Sequence, residues 1–145
     1  LCWLPDIVRW ANVVSSLLRP GGRLFIREGH PMLWSLADPR PDGLVVVEYP
    51  YFETSAGTTF VEESTYVSHE QQLASPETVQ FNHGIGEIFT ALLRAGMEVF
   101  ALDEHDSVPW NPLGDAMVED EQGEWRLRHM PERLAASYTL QARKR

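Results

Sequence analysis

The chain has 145 residues, enough for one domain that buries roughly 70% of the surface its extended form would expose. Hydrophobic residues make up 43%, aromatic 10% and charged 23%, which excludes a disordered or fibrous chain. Twelve Lys and Arg against 21 Asp and Glu give a net charge of −9, a field that repels phosphate backbones and anionic lipid, so no nucleic acid and no membrane is expected as partner.

Cys2 is the only cysteine, so no intrachain disulfide can form, which fits a reducing, cytoplasmic location. The longest apolar run, Leu44 to Val47, is far too short to span a bilayer, and no signal-peptide pattern opens the chain. The chain begins with Leu1 rather than Met, which suggests a piece of a longer protein.

Behind Pro5-Asp6, the apolar residues Ile7, Trp10, Ala11, Val14, Leu17 and Leu18 recur at helical spacing, with Asp6 suited to cap the first turn. Pro20-Gly21-Gly22 ends this helix, and Arg23 to Glu28 reads as a strand. Gly29 to Asp42 reads as loop with one helical turn around Met32, Leu33 and Trp34. Leu44 to Phe52 and Thr58 to Ser68, rich in Val, Tyr, Phe and Thr and joined through Ser55-Ala56-Gly57, predict a β-hairpin. Ile85, Ile88, Phe89, Leu92 and Leu93 predict a second helix, with Glu87 placed to cap its opening turn and Gly96 to stop it. Met97 to Leu102 reads as a short strand, Pro109 to Gly123 as loop and Ala135 to Ala142 as the last strand. The acidic run Glu119-Asp120-Glu121, with Glu124 nearby, reads as a solvated loop.

Taken in order, these segments resemble part of a known family. Leu17-Leu18-Arg19-Pro20-Gly21-Gly22-Arg23-Leu24-Phe25-Ile26 is similar to the segment that leads into the fifth strand of class I S-adenosylmethionine-dependent methyltransferases. Cys2-Trp3-Leu4-Pro5-Asp6 is similar to the family's loop after strand four. His83 to Ile88 with Leu92 to Met97 resembles the helix and turn before strand six, and Ser137 to Lys144 its antiparallel strand seven. The fold implied is α/β: a partial Rossmann-like methyltransferase fold, fifth to seventh strands with flanking helices, plus the inserted β-hairpin. Residues 1–145 would form a single domain, the C-terminal part of the enzyme, with 37–80 an insertion on the substrate side. The family's glycine-rich loop and the acidic residue ending strand two, which grip the methionine and ribose parts of the cofactor, have no counterpart here. Gly84-x-Gly86 lacks the strand and turn context that would make it one.

The resemblance puts the loop after strand five near the active-site mouth. Glu28 and His30 become the candidate catalytic residues and Trp34 a substrate contact; the alternative has His30 capping a turn before Pro31 and Trp34 in the core. His83, at a helix start, His105, between Glu104 and Asp106, and Trp110 are further candidate substrate-binding residues, each of which also reads as ordinary structure. Trp3 and Leu4 would border the cofactor's adenine. The five histidines show no metal-ligand spacing, so no metal site is expected. The expected activity is S-adenosylmethionine-dependent methyl transfer to a small molecule by the full-length parent. The fragment itself would bind the cofactor weakly or not at all and would pair as a homodimer over its strand edge. The alternative is a noncatalytic ligand-binding or dimerisation module.

Overall fold

In the computed structural model residues 1–61 and 75–145 are described. Helix α1 spans Ile7–Leu17, and the Asp6 side chain accepts from the Arg9 amide at 2.8 Å, which supplies the expected cap. Strand β1 follows at Arg23–Gly29 and a single helical turn, α2, at Pro31–Trp34. Helix α3 spans Ile85–Arg94; the Glu87 carboxylate accepts from the Gly84 amide at 2.6 Å, and Gly96 takes the left-handed φ of 79° that turns the chain into β4, Met97–His105.

The final strand, β8 (Ser137–Lys144), inserts between β1 and β4 and runs antiparallel to both, giving the order β1-β8-β4. Helices α1 and α3 cover one face of this sheet. Their Ile7, Ala11, Ile88, Ala91 and Leu92 pack with Met97, Tyr138, Leu140 and Ala142 into one core. Such burial is the main stabilising term of the domain. The opposite face is open: Phe25 is 63% exposed, and Arg27 forms a two-pronged pair with Glu124 at 2.9 and 2.6 Å. A second core, built on Leu33, Val108, Leu113, Met117, Leu134 and Ala136, sits under a small sheet of β5 (Ser107–Val108), β6 (Met117–Glu119) and β7 (Trp125–Leu127), in the order β5-β7-β6.

Three local expectations are corrected. Thr58–Val61 (β2) pairs with Glu77–Gln80 (β3), not with Leu44 to Phe52. The latter segment spends its backbone groups elsewhere: Ala37 donates to Val46, Glu48 and Tyr49 both donate to the Ser35 carbonyl, and Leu36 bridges Val47. Residues 62–68 of the expected hairpin, and His69, lie outside the described residues. The stretch from Pro109 to Gly123 holds a 3₁₀ turn and strand β6 rather than loop alone, because Met117 finds a place in the second core. The acidic run is also less free than its composition suggests. The Asp120 side chain accepts from the Gln122 and Glu124 amides and pairs with Arg126, and Glu124 is held by Arg27 and Ser107. Among the described residues no helix is long and apolar enough to cross a membrane.

Candidate functional site

Strands β1 and β4 both point their C-terminal ends to the same end of the sheet, the end at which open α/β sheets gather ligands. The register there sets Glu28 of β1 opposite Tyr138 of β8, and Tyr138 opposite Glu104 of β4. Directly opposed residues share a face, so these three lie in a row on the side covered by the helices.

His30 follows immediately. It is buried, it caps α2 by accepting the Met32 amide at Nδ1 (3.0 Å), and its ring meets Tyr138 edge-on with centroids 6.2 Å apart. Because Nδ1 accepts an N–H, the ring proton sits on Nε2, which lies 2.9 Å from Glu104 Oε1 without a well-aligned hydrogen bond. Burial pushes the His30 pKa below its ordinary value, against the opposing pull of Glu104, so the ring is neutral at pH 7. Nδ1 is thus engaged inside the fold while Nε2 only faces Glu104, and the turn-capping alternative raised for His30 is the geometry found.

Glu28 is more open. Its Oε1 accepts from the Leu1 nitrogen at 2.7 Å, a position that donates equally as amine or amide. Glu28 lines a cavity with Cys2, Trp34, Asn82, His83 and Tyr138 that has room for about one water. Burial raises the Cys2 thiol pKa, which makes it a poor nucleophile. A second cavity shares Cys2, Trp34, Phe81 and Asn82 with the first and is otherwise walled largely by Tyr49 and Phe60. The Asn82 amide donates to the Pro31 and Pro50 carbonyls, at 2.8 and 3.0 Å, tying β3's exit to both flanking loops.

His83 is buried at this wall; its Nε2 donates to the Leu4 carbonyl (2.7 Å), and its Nδ1 lies 2.8 Å from Glu53 Oε2. Glu53 Oε2 also accepts from the Ile7 amide at 3.1 Å, so one carboxylate reaches the first turn of α1 and the histidine together. Trp34 stacks on Trp110 with centroids 5.8 Å apart and planes 18° from parallel. Gly29 makes that possible, since a Cβ there would come within 2.8 Å of the Trp34 ring. Thus Glu28, Trp34 and His83 come together around one cavity, with Trp110 against Trp34, while His30 does not line that cavity and meets it only through Tyr138. His105 does not join them: its register with Ser137 turns it to the opposite face, where Nε2 meets Thr139 Oγ1 at 3.2 Å. Trp3, 60% exposed, and Leu4 lie at the outer edge of the cleft.

Tyr138, Glu104, Asn82 and Glu53 were not singled out in the sequence. Only the alternation of the last strand hinted at Tyr138, and nothing local pairs it with Glu28. Among the described residues no group of three or more His, Cys, Asp or Glu is placed to hold a metal ion.

A three-stranded β1-β8-β4 sheet with two helices on one face is a portion of a Rossmann-like α/β fold, and solved structures place that portion. The chain is similar over 100% of its length to a candidate S-adenosylmethionine-dependent methyltransferase from Listeria monocytogenes (TM-score 0.59, 15% identity), of which it covers 58%. It is similar over 99% of its length to an S-adenosylmethionine-dependent methyltransferase from Mesorhizobium loti (TM-score 0.53, 19% identity), of which it covers 57%. The chain therefore has the fold of part of these methyltransferases and spans somewhat more than half of their length. No family model matches the sequence, and no curated protein is significantly similar to it.

Proposed function

We propose that this chain forms the substrate side of an S-adenosylmethionine-dependent methyltransferase acting on a small molecule. The observation that carries the reading is the cavity at the C-terminal end of β1, inside a fold shared with such enzymes. Methyl transfer is an in-line displacement, so the protein's part is to align the acceptor and exclude water. Glu28 is the chain's own group for holding a proton on the acceptor, Trp34 and Trp110 flank the approach, and His83 holds the Leu4 loop in place. His30 acts by fixing α2 and Glu104 rather than by taking a proton.

The described residues do not fit the whole cofactor. Trp3 and Leu4 offer an apolar edge for its adenine, but each cavity has room for about one water, and no glycine cradle faces them. This chain alone is therefore expected to give little heat with S-adenosylmethionine in calorimetry, and micromolar binding would show a different cofactor site. In the complete enzyme, Glu28→Gln should lower turnover more than it lowers the melting temperature; equal kinetics would remove Glu28 from the reaction. The reading also places the protein in the cytoplasm, without nucleic-acid or membrane partners.

A second reading, association of two copies, is favoured by one observation. Strand β1 is at the sheet edge among the described residues, and Leu17, 80% exposed, and Val13 lie on the neighbouring helix. A homodimer covering this edge is the form expected; sedimentation as a monomer at micromolar concentration would rule it out.

A further inference from the structure

We infer that His83 and Glu53 form a latch on the wall of the cleft that a single proton opens and closes. With both ring nitrogens protonated, His83 joins Leu4 to Glu53 and, through Glu53, to the start of α1. Loss of one proton as the pH rises releases Glu53. The device goes beyond the methyl-transfer reading and does not rest on it.

Among the described residues two histidines are buried, and their surroundings differ. His30 meets a donor, the Met32 amide at Nδ1, so a neutral ring fits it. His83 has an acceptor on each side. Its Nε2 is 2.7 Å from the Leu4 carbonyl oxygen, and its Nδ1 is 2.8 Å from Glu53 Oε2, off the line of a well-formed hydrogen bond. A neutral imidazole has one N–H and would set a lone pair against one of these oxygens, whereas the imidazolium donates to both. The second proton belongs on the ring rather than on the carboxylate, since Oε2 also accepts the Ile7 amide at 3.1 Å and the first turn of a helix favours negative charge. Pairing with Glu53 offsets the cost of burying a charged ring.

Glu53 is set in place from α3. Its amide donates to the Glu87 carboxylate, which also accepts from Gly84, and the Tyr51 hydroxyl accepts the Ile85 amide at 3.3 Å. The same segment supplies Tyr49 and Pro50 to the wall of the second cavity, so the latch ties that wall to the segment carrying Leu4. With 32% of its side chain exposed, Glu53 brings the buried pair to solvent, where the proton can be exchanged. The other titratable groups around His83 are already committed. Glu28 of β1 accepts from the Leu1 nitrogen, Glu87 of α3 from the Gly84 and Glu53 amides, and burial keeps the Cys2 thiol and the Tyr138 phenol neutral. Glu53 is thus the charge that answers to the ring's proton.

The test follows the ring-nitrogen and amide NMR signals of the isotope-labelled chain from about pH 5 to 8, the range in which a histidine changes charge. At the acid end His83 is expected to carry both ring protons. As the pH rises, the Nδ1 proton should be lost and the Glu53 and Ile7 amides should shift with the same midpoint, while Leu4, still held by the Nε2 proton, moves little. Protection of the Ile7 amide from hydrogen exchange, taken relative to its intrinsic rate, should fall roughly tenfold, the worth of one hydrogen bond. In Glu53→Gln the new side-chain amide can donate to Nδ1, so a neutral ring fits. This variant should carry one ring proton where the wild type carries two, and its Ile7 amide should no longer follow the pH. Ring protonation that does not change across the range, or a ring that titrates without moving Glu53 and Ile7, would overturn the latch. The wild-type titration decides by itself, even where the variant misfolds. Because no methyl donor or acceptor is present, the outcome is separate from whether the complete enzyme transfers methyl groups.

Discussion

The two ends of the β1-β8-β4 sheet are built to opposite purposes from the same three strands. At the end where β1 begins, the polar groups close on one another. Lys144 Nζ donates to the Ser15 and Leu18 carbonyls at 2.7 and 2.9 Å, and the Gly21 and Lys144 backbones exchange hydrogen bonds with their neighbours across the turn. A cation on the last carbonyls of α1 also suits the helix dipole. At the end where β1 finishes, Glu28 is half used, Tyr138 is buried without a partner, and two cavities open beside them. The contrast teaches that, within this one sheet, the end that closes the fold pairs its polar groups with one another, while the unpaired buried hydroxyl lies beside the cavities.

The comparison can be broken most directly at the closed end. Lys144→Met keeps the aliphatic stem but removes both charged hydrogen bonds, and is expected to cost about 1–2 kcal/mol in denaturant unfolding. A loss near zero would show that the closed end stabilises nothing, and the distinction between the ends would disappear.

A smaller effect is expected at His30, and its sign follows from burial. The folded pKa is depressed, so the unfolded chain binds a proton first as the pH drops. The stabilisation is therefore complete above the ordinary histidine value of about 6.5 and is lost as the pH falls from there toward the folded value. His30→Asn preserves an oxygen to cap Met32 but cannot titrate. Its unfolding free energy should fall less between about pH 6.5 and 5 than that of the wild type. Parallel pH profiles would mean that the ring is protonated in place.

The smallest change sharpens the comparison the most. Removing a buried hydroxyl that has no partner should be neutral or stabilising, so Tyr138→Phe should shift unfolding by no more than about 0.5 kcal/mol in the destabilising direction. A loss above about 1 kcal/mol would mean that the hydroxyl is already satisfied in the free protein.

Much of the scaffold is written locally. The spacing of Ile7, Trp10, Ala11 and Val14, the Asp6 cap, the Glu87 cap and the left-handed Gly96 each depend on residues within a turn or two, and each is found where the pattern puts it. The order of helix, Pro-Gly-Gly turn and strand was enough to suggest which portion of a larger fold this is, and the solved structures of similar fold share that portion. The sheet partners were less legible. Leu44 to Phe52 has as much β character as Glu77–Gln80, but β propensity reports only fitness for a pleated surface, and the Ser35 carbonyl had already claimed the former's backbone.

The candidate site divides the same way. Glu28, His30 and Trp34 are consecutive to a strand end and could be named from position along the chain, whereas Tyr138 meets Glu28 only because β8 threads between β1 and β4. His105 failed for a related reason: one residue of register decides the face of a sheet, so its neighbour Glu104, though itself exposed, shares the face of Tyr138 and reaches His30, and His105 does not. Sequence by itself determined the helices, their caps and the strand that ends in the site, because those follow from interactions a few residues apart. Tertiary structure alone decided which groups share the cavity and which polar atom goes unpaired, because pairing and burial are set by strands that meet across nearly the whole length of the chain.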